Sequence, residues 1–163
     1  MRSFLVTAAA LAASITTLPA HAGTATGLMP VEATLLESCT VVATPMLFGI
    51  LPNVGQANID TVATVDLVCT LNADYEVALD DGVNSAGGVR RMKNLLSNDY
   101  INYQIFRDAA RTQPWGHQAG VNTLADTAPL GIKAHVAYGR IPTGTTGGTA
   151  GVYTDLVTVS VNF

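Results

Sequence analysis

Charge is what this sequence has least of. Only 12% of its 163 residues are Asp, Glu, Lys or Arg, and the formal net charge is −4. A freely diffusing domain carries roughly 25% charged residues or more on its surface. This surface is instead mostly Thr, Asn, Ser, Gly and Ala, which suits a chain packed against copies of itself or held outside a cell. No Lys/Arg run is interleaved with aromatics, which argues against nucleic acid as a partner. Helical periodicity is missing as well, since no useful length after the start repeats apolar residues at three-to-four spacing.

Catalytic patterns are equally scarce. His117 lies in a Gly/Pro-rich loop and His135 reads as outward on a strand, neither at the spacing of a metal site or a triad. Asp80 and Asp81 are consecutive, so on a strand they face opposite sides and read as the start of a turn rather than a carboxylate pair. Thr143–Gly151 has the glycines of a phosphate-cradling loop without its Lys or its following helix. The expectation is a non-enzyme with no metal and no cofactor.

Long apolar runs are confined to the start. Arg2 precedes the run Phe4–Ile15, and Ala20-His21-Ala22 has the small-x-small pattern of a signal-peptidase site. The run falls short of the about 20 apolar residues a membrane helix needs. Residues 1–22 therefore read as a signal peptide cleaved between Ala22 and Gly23, followed by one exported domain large enough for a core. Cysteine is limited to Cys39 and Cys69. After export an even pair forms a disulfide more often than anything else, and neither Cys has a second ligand at metal spacing. Closing a loop of about 30 residues contributes roughly 3–4 kcal/mol in the chain-entropy model.

What the chain does have is alternation. In Gly23–Leu36 the odd positions Ala25, Gly27, Met29, Val31, Ala33 and Leu35 are small or apolar. The even ones include Thr24, Thr26, Pro30, Glu32 and Thr34. Period two marks a strand with one buried face, yet no hairpin signal joins this stretch to the next. Further strands are expected over Cys39–Phe48, broken by Pro45, over Ile59–Leu71, around Tyr75–Leu79 and around Ile101–Ile105. Another is expected where Ile132, Ala134, Val136 and Tyr138 alternate against Lys133 and His135. The last segment is the strongest: Tyr153, Asp155, Val157, Val159, Val161 and Phe163 share one parity. Asp81–Gly88 is turn chemistry, Val89–Leu96 is ambiguous, and the stretch from Trp115 to Pro129 reads as loop. The fold class is all-β, with short strands at sandwich-like spacing. An outer-membrane barrel would need at least eight regular strands of about ten residues, which this uneven set does not supply.

The ordered set Cys39-Thr40, Phe48-Gly49, Val68-Cys69, Arg90-x-Met92, Tyr103-x-x-Phe106-Arg107-Asp108 and Trp115-Gly116 resembles the spore coat U domain family. Gly151-x-Tyr153-x-Asp155 and the Val-rich strand ending in Phe163 complete the resemblance, which spans essentially the whole mature chain. Within that family it looks most like the subunits of archaic (Csu-type) chaperone–usher pili. The resemblance implies an incomplete immunoglobulin-like β-sandwich over 37–163 that lacks its final strand. A periplasmic chaperone would fill the gap first, and an outer-membrane usher would exchange it for the N-terminal extension of the next subunit. Carried onto this chain, residues 23–36 would be the donor extension, with Met29, Val31, Ala33 and Leu35 as plugs and Ala25 and Gly27 at the far end. Tyr153, Val157, Val159, Val161 and Phe163 would line the acceptor edge, and Cys39–Cys69 would be the family disulfide. The implied function is a pilus subunit for attachment and biofilm formation, partnered by its own copies or related pilins. It would pass through the periplasm to a cell-surface fibre. Pro30 departs from the pattern, because a proline inside a donor strand cannot donate a ladder hydrogen bond.

Two other functions compete. One is a stand-alone secreted coat or matrix protein of the same fold that closes its own groove. The other is a small secreted carbohydrate-binding domain using Trp115, although a packing role suits that residue better. Arg90, Arg91 and Lys93 read as a solvated basic patch rather than a binding site.

Overall fold

A computed structural model of the chain describes residues 23–163, so the expected leader, residues 1–22, lies outside the described residues. The chain divides into two units at Thr34. Residues 23–34 form neither helix nor strand, and their side chains are exposed. A single amphipathic strand has no stability without a partner to hydrogen-bond and an apolar surface to cover.

From Leu35 onward the described chain is all-β, with nine strands: β1 (Cys39–Ala43), β2 (Ile59–Cys69), β3 (Ala73–Leu79), β4 (Arg90–Asn94), β5 (Tyr100–Phe106), β6 (Leu124–Ala128), β7 (Ile132–Ile141), β8 (Tyr153–Thr154) and β9 (Val159–Asn162). They make one six-stranded sheet in the order β1-β2-β7-β5-β4-β8 and one three-stranded sheet in the order β6-β3-β9. Every named pair is antiparallel. This is an incomplete immunoglobulin-like sandwich. The small sheet covers only part of the large one.

The alternation in β2 does what its sequence dictates: Ala63, Val65 and Leu67 are buried, while Asp60, Val62, Asp66 and Val68 face out. β3 adds Tyr75, Val77 and Leu79 from the other sheet, and β5 adds Ile101, Tyr103 and Ile105. Trp115 closes the core with 0% exposure, its indole Nε1 donating to the Val77 carbonyl at 2.9 Å. A buried indole needs such an acceptor. The sugar-stacking role for Trp115 is thereby corrected, because no face of its ring is open.

Three other expectations are corrected. β7 has the reverse of the expected parity: Ile132 is 70% exposed, whereas His135 turns inward, its Nε2 2.7 Å from the Tyr75 hydroxyl. Lys133, of the same parity as His135, pairs with Asp126 at 2.8 Å. Arg90 is not part of a solvated patch. It is 2% exposed, and its guanidinium donates to the carbonyls of Leu79 and Asp80 at 2.6–2.9 Å. Finally, β6 lies inside the stretch read as loop.

Candidate functional site

β9 ends its sheet. It pairs with β3 on one side, Leu79 opposite Val159 and Glu76 opposite Asn162, and no described strand hydrogen-bonds to the other, although β1 comes within 8 Å of it. The orientation of its free groups follows from neighbouring bonds. Leu79 N donates to Gly116 O at 3.0 Å, away from β9, whereas Asp80 N donates to Thr158 O at 3.0 Å, toward it. Backbone direction alternates along a strand. Thr158, Ser160 and Asn162 therefore spend their main-chain groups on β3. Val157, Val159 and Val161 turn theirs to the open edge, and these same valines direct half-buried side chains inward. One parity thus offers both the free ladder and the apolar face.

Beside that edge lies a groove. Ala43–Phe48 forms one lip, Thr154–Val157 and Val159 the other, and Val65, Tyr103 and Ile105 lie in the floor, around a cavity of about 460 Å³. It continues past Met92 into a second cavity of about 840 Å³ between the loops Met46–Val54 and Gly147–Tyr153. Phe48 closes against the Tyr103 ring edge-on, centroids 6.2 Å apart.

The crossover from β8 to β9 is held by polar contacts. Asp155 accepts from the Tyr103 hydroxyl at 2.7 Å and from Asn84 N and Nδ2 at 3.1 and 3.0 Å. Gly82, at φ +80°, is required here, since a Cβ would stand 2.1 Å from Asp155 Oδ2. Asp80 Oδ1 accepts from Gly82 N and Thr158 N, both at 2.9 Å. Burial works to raise the Asp80 pKa, but these bonds and the Arg90 charge outweigh it and hold the carboxyl below its usual value. Tyr103 is pushed the other way, upward, by burial first and then by its bond to Asp155. The site is therefore a fixed apolar edge, with its polar groups committed to structure.

The structure brings Val157, Val159 and Val161 together along the edge, with Phe163 just beyond β9 and 55% exposed. Tyr153 is not on that edge strand: it belongs to β8 in the other sheet, paired with Asn94. The expected single terminal strand is thus two, because Asp155 anchors a switch between sheets. Cys39 and Cys69 are bonded to each other and face one another across β1 and β2. Ala25, Gly27, Met29, Val31 and Ala33 lie in the exposed 23–34 segment, with Leu35 exposed just beyond it. Sequence reasoning passed over Asn84 and Thr158, which hold the crossover. Only their turn-forming character signals them.

The chain is 30% identical to Protein U of Myxococcus xanthus over 175 aligned positions, covering 97% of this chain and 96% of that protein. Its fold resembles a chain in the crystal structure of the CsuC–CsuE chaperone–tip adhesion subunit pre-assembly complex from archaic chaperone-usher Csu pili of Acinetobacter baumannii. There the TM-score is 0.54 at 24% identity, over 80% of this chain and 41% of that one, so this chain spans less than half of the relative's length. The profile of the Spore Coat Protein U domain matches residues 25–160, and with the Protein U relationship it shows that the chain belongs to the Spore Coat Protein U domain family.

Proposed function

We propose that this chain is a structural subunit of an archaic chaperone–usher pilus, assembled by donor-strand exchange and serving surface attachment and biofilm formation. The observation that carries the reading is the open edge of β9, whose inward valines also hold the free main-chain groups beside an apolar groove. β-strand addition uses that combination: main-chain bonds give strength and alternate side chains give register. The alternating stretch Ala25–Leu35 has the matching chemistry. In this reading Met29, Val31, Ala33 and Leu35 of one subunit enter the groove of the next, with Ala25 and Gly27 at the far end. Val157, Val159, Val161 and Phe163 receive them. The chain is exported by its leader, held by a periplasmic chaperone, passed to an outer-membrane usher and displayed in a surface fibre, with no catalysis and no cofactor. An uncovered edge would otherwise invite aggregation.

The test is deletion of residues 23–36. The shortened chain keeps its complex with the co-expressed chaperone and forms no polymer. Polymers that survive the deletion would overturn the reading.

One observation favours a second reading. The chain matches Protein U over nearly the full length of both, but only 41% of the pilus-complex chain. A stand-alone secreted coat or matrix protein would close its groove within the same chain and run as a stable monomer on an unheated gel.

A further inference from the structure

Whether the groove is closed by the same chain or by another copy turns on direction. Cys39, where β1 begins, lies opposite Cys69, and β3 starts at Ala73 one short turn later. Asn162, the last residue of β9, pairs with Glu76 near that start. The beginning of β1 and the end of β9 therefore share one pole of the sandwich. A chain that folded back from this pole into its own groove would run from Leu35 toward Ala25 as β9 runs from Asn162 toward Val159. Such self-insertion is parallel to β9. A strand from a second copy is free to enter antiparallel.

Two features of the chain act on that choice. The first is Thr70. Ser38 N donates to Thr70 Oγ1 at 2.8 Å, and Thr70 N donates to Ser38 O at 2.8 Å. The Thr70 hydroxyl reaches the carbonyls of Ser38 and Leu36 at 3.3 and 3.4 Å. These bonds carry the β1–β2 register past the disulfide, so residues 36–38 run on in line with β1 instead of turning toward the groove.

The second is Pro30. In a parallel pair, a residue facing its neighbour bonds to the two residues flanking the one opposite it. With the odd positions inward, self-insertion would present Leu28, Pro30, Glu32 and Thr34 to the free groups of Val157, Val159 and Val161. Pro30 has no N–H to give. In the antiparallel sense Met29, Val31 and Ala33 face β9 with both side chain and backbone. Pro30 then turns to the opposite lip, which at the level of Val157 and Val159 is Ala43–Phe48, mostly outside any strand and containing Pro45.

We infer that Thr70 and Pro30 are positioning residues that direct the extension away from its own groove, so that the sandwich is completed by a second copy inserted antiparallel to β9. The inference rests on the pilus reading above and adds to it a device that suppresses self-closure.

The experiment refolds residues 23–163 and separates high-melting closed monomer from polymer by gel filtration and unheated gel. Thr70→Val keeps the branched shape and removes the hydroxyl; it raises the closed-monomer-to-polymer ratio about ten-fold, the effect of roughly one hydrogen bond. Thr70→Ser restores the hydroxyl and the wild-type ratio, which a general loss of stability would not do. Pro30→Ala changes no residue of the unit Leu35–Phe163 and raises the ratio about as much even if the Thr70 variant fails to fold. Variants that partition like wild type, or a serine variant that behaves like valine, overturn the inference and leave the pilus reading standing. A wild-type chain that is already a closed monomer overturns both.

Discussion

Tyr103 and Asp155 meet at 2.7 Å where the chain leaves the six-stranded sheet to build the free edge of the other. The tyrosine lies in the groove floor and the aspartate in the crossover. The bond ties the depth of the groove to the position of its lip.

Removing that hydroxyl tests the coupling. Tyr103→Phe leaves Asp155 with only its Asn84 bonds and costs about 1–3 kcal/mol, the range for an unsatisfied partly buried acceptor. Chemical denaturation of a strand-completed form measures it. Asp155→Ala frees Asn84 as well and is expected to cost more. It should also raise hydrogen exchange at Ser160 and Asn162, whose amides bond to β3.

The disulfide makes a separate prediction. Cys39 and Cys69 are 30 residues apart and bridge the edge strand β1 to β2. Replacing both by Ala destabilises the domain by about 3–4 kcal/mol, read as a lower denaturant midpoint than that of the oxidised wild type. Reductant should then shift the wild type toward the variant and leave the variant unmoved.

His135 predicts a pH dependence. Burial is the main influence on it and lowers its pKa below 6.5, against an opposing pull from Asp126, while Lys133 adds to the lowering. The unfolded chain therefore binds this proton at higher pH than the folded one. Stability from the neutral ring is fully present above about pH 6.5 and falls as pH drops toward the folded pKa. Wild-type melting should decline between about pH 7 and pH 5, and His135→Gln should flatten that decline. A wild-type curve that is level across this range contradicts the assignment.

The all-β class and the strands β2, β3 and β5 were legible because their inward positions are apolar and their outward ones mostly polar, Val62 and Val68 of β2 being exceptions. β7 was misread for a physical reason. His135 and Lys133 are polar by type, yet Tyr75, 60 residues from His135, and Asp126, on β6 of the other sheet, satisfy them on the inner side, and alternation within β7 reveals neither partner. Arg90 is the same case, buried because two carbonyls from the end of β3 receive its guanidinium. The break between β8 and β9 was hidden because Tyr153, Val157, Val159 and Val161 all face the interior. Their shared parity persists through a change of sheet. Within the site, the shared parity of the valines was readable from alternation, whereas a place at an edge was only what the family resemblance implied. The direction of their free backbone groups needed the bonds made by Leu79 and Asp80.

The most direct measurement compares the melting of residues 23–163 with that of a variant carrying Thr24–Leu36 again after Phe163, through a short flexible linker. Such a strand follows β9 as a hairpin and therefore enters antiparallel. The account predicts that the natural chain polymerises or melts low and that the appended copy yields a monomer melting far higher. A natural chain that is already a stable monomer, unchanged by the added strand, would contradict it.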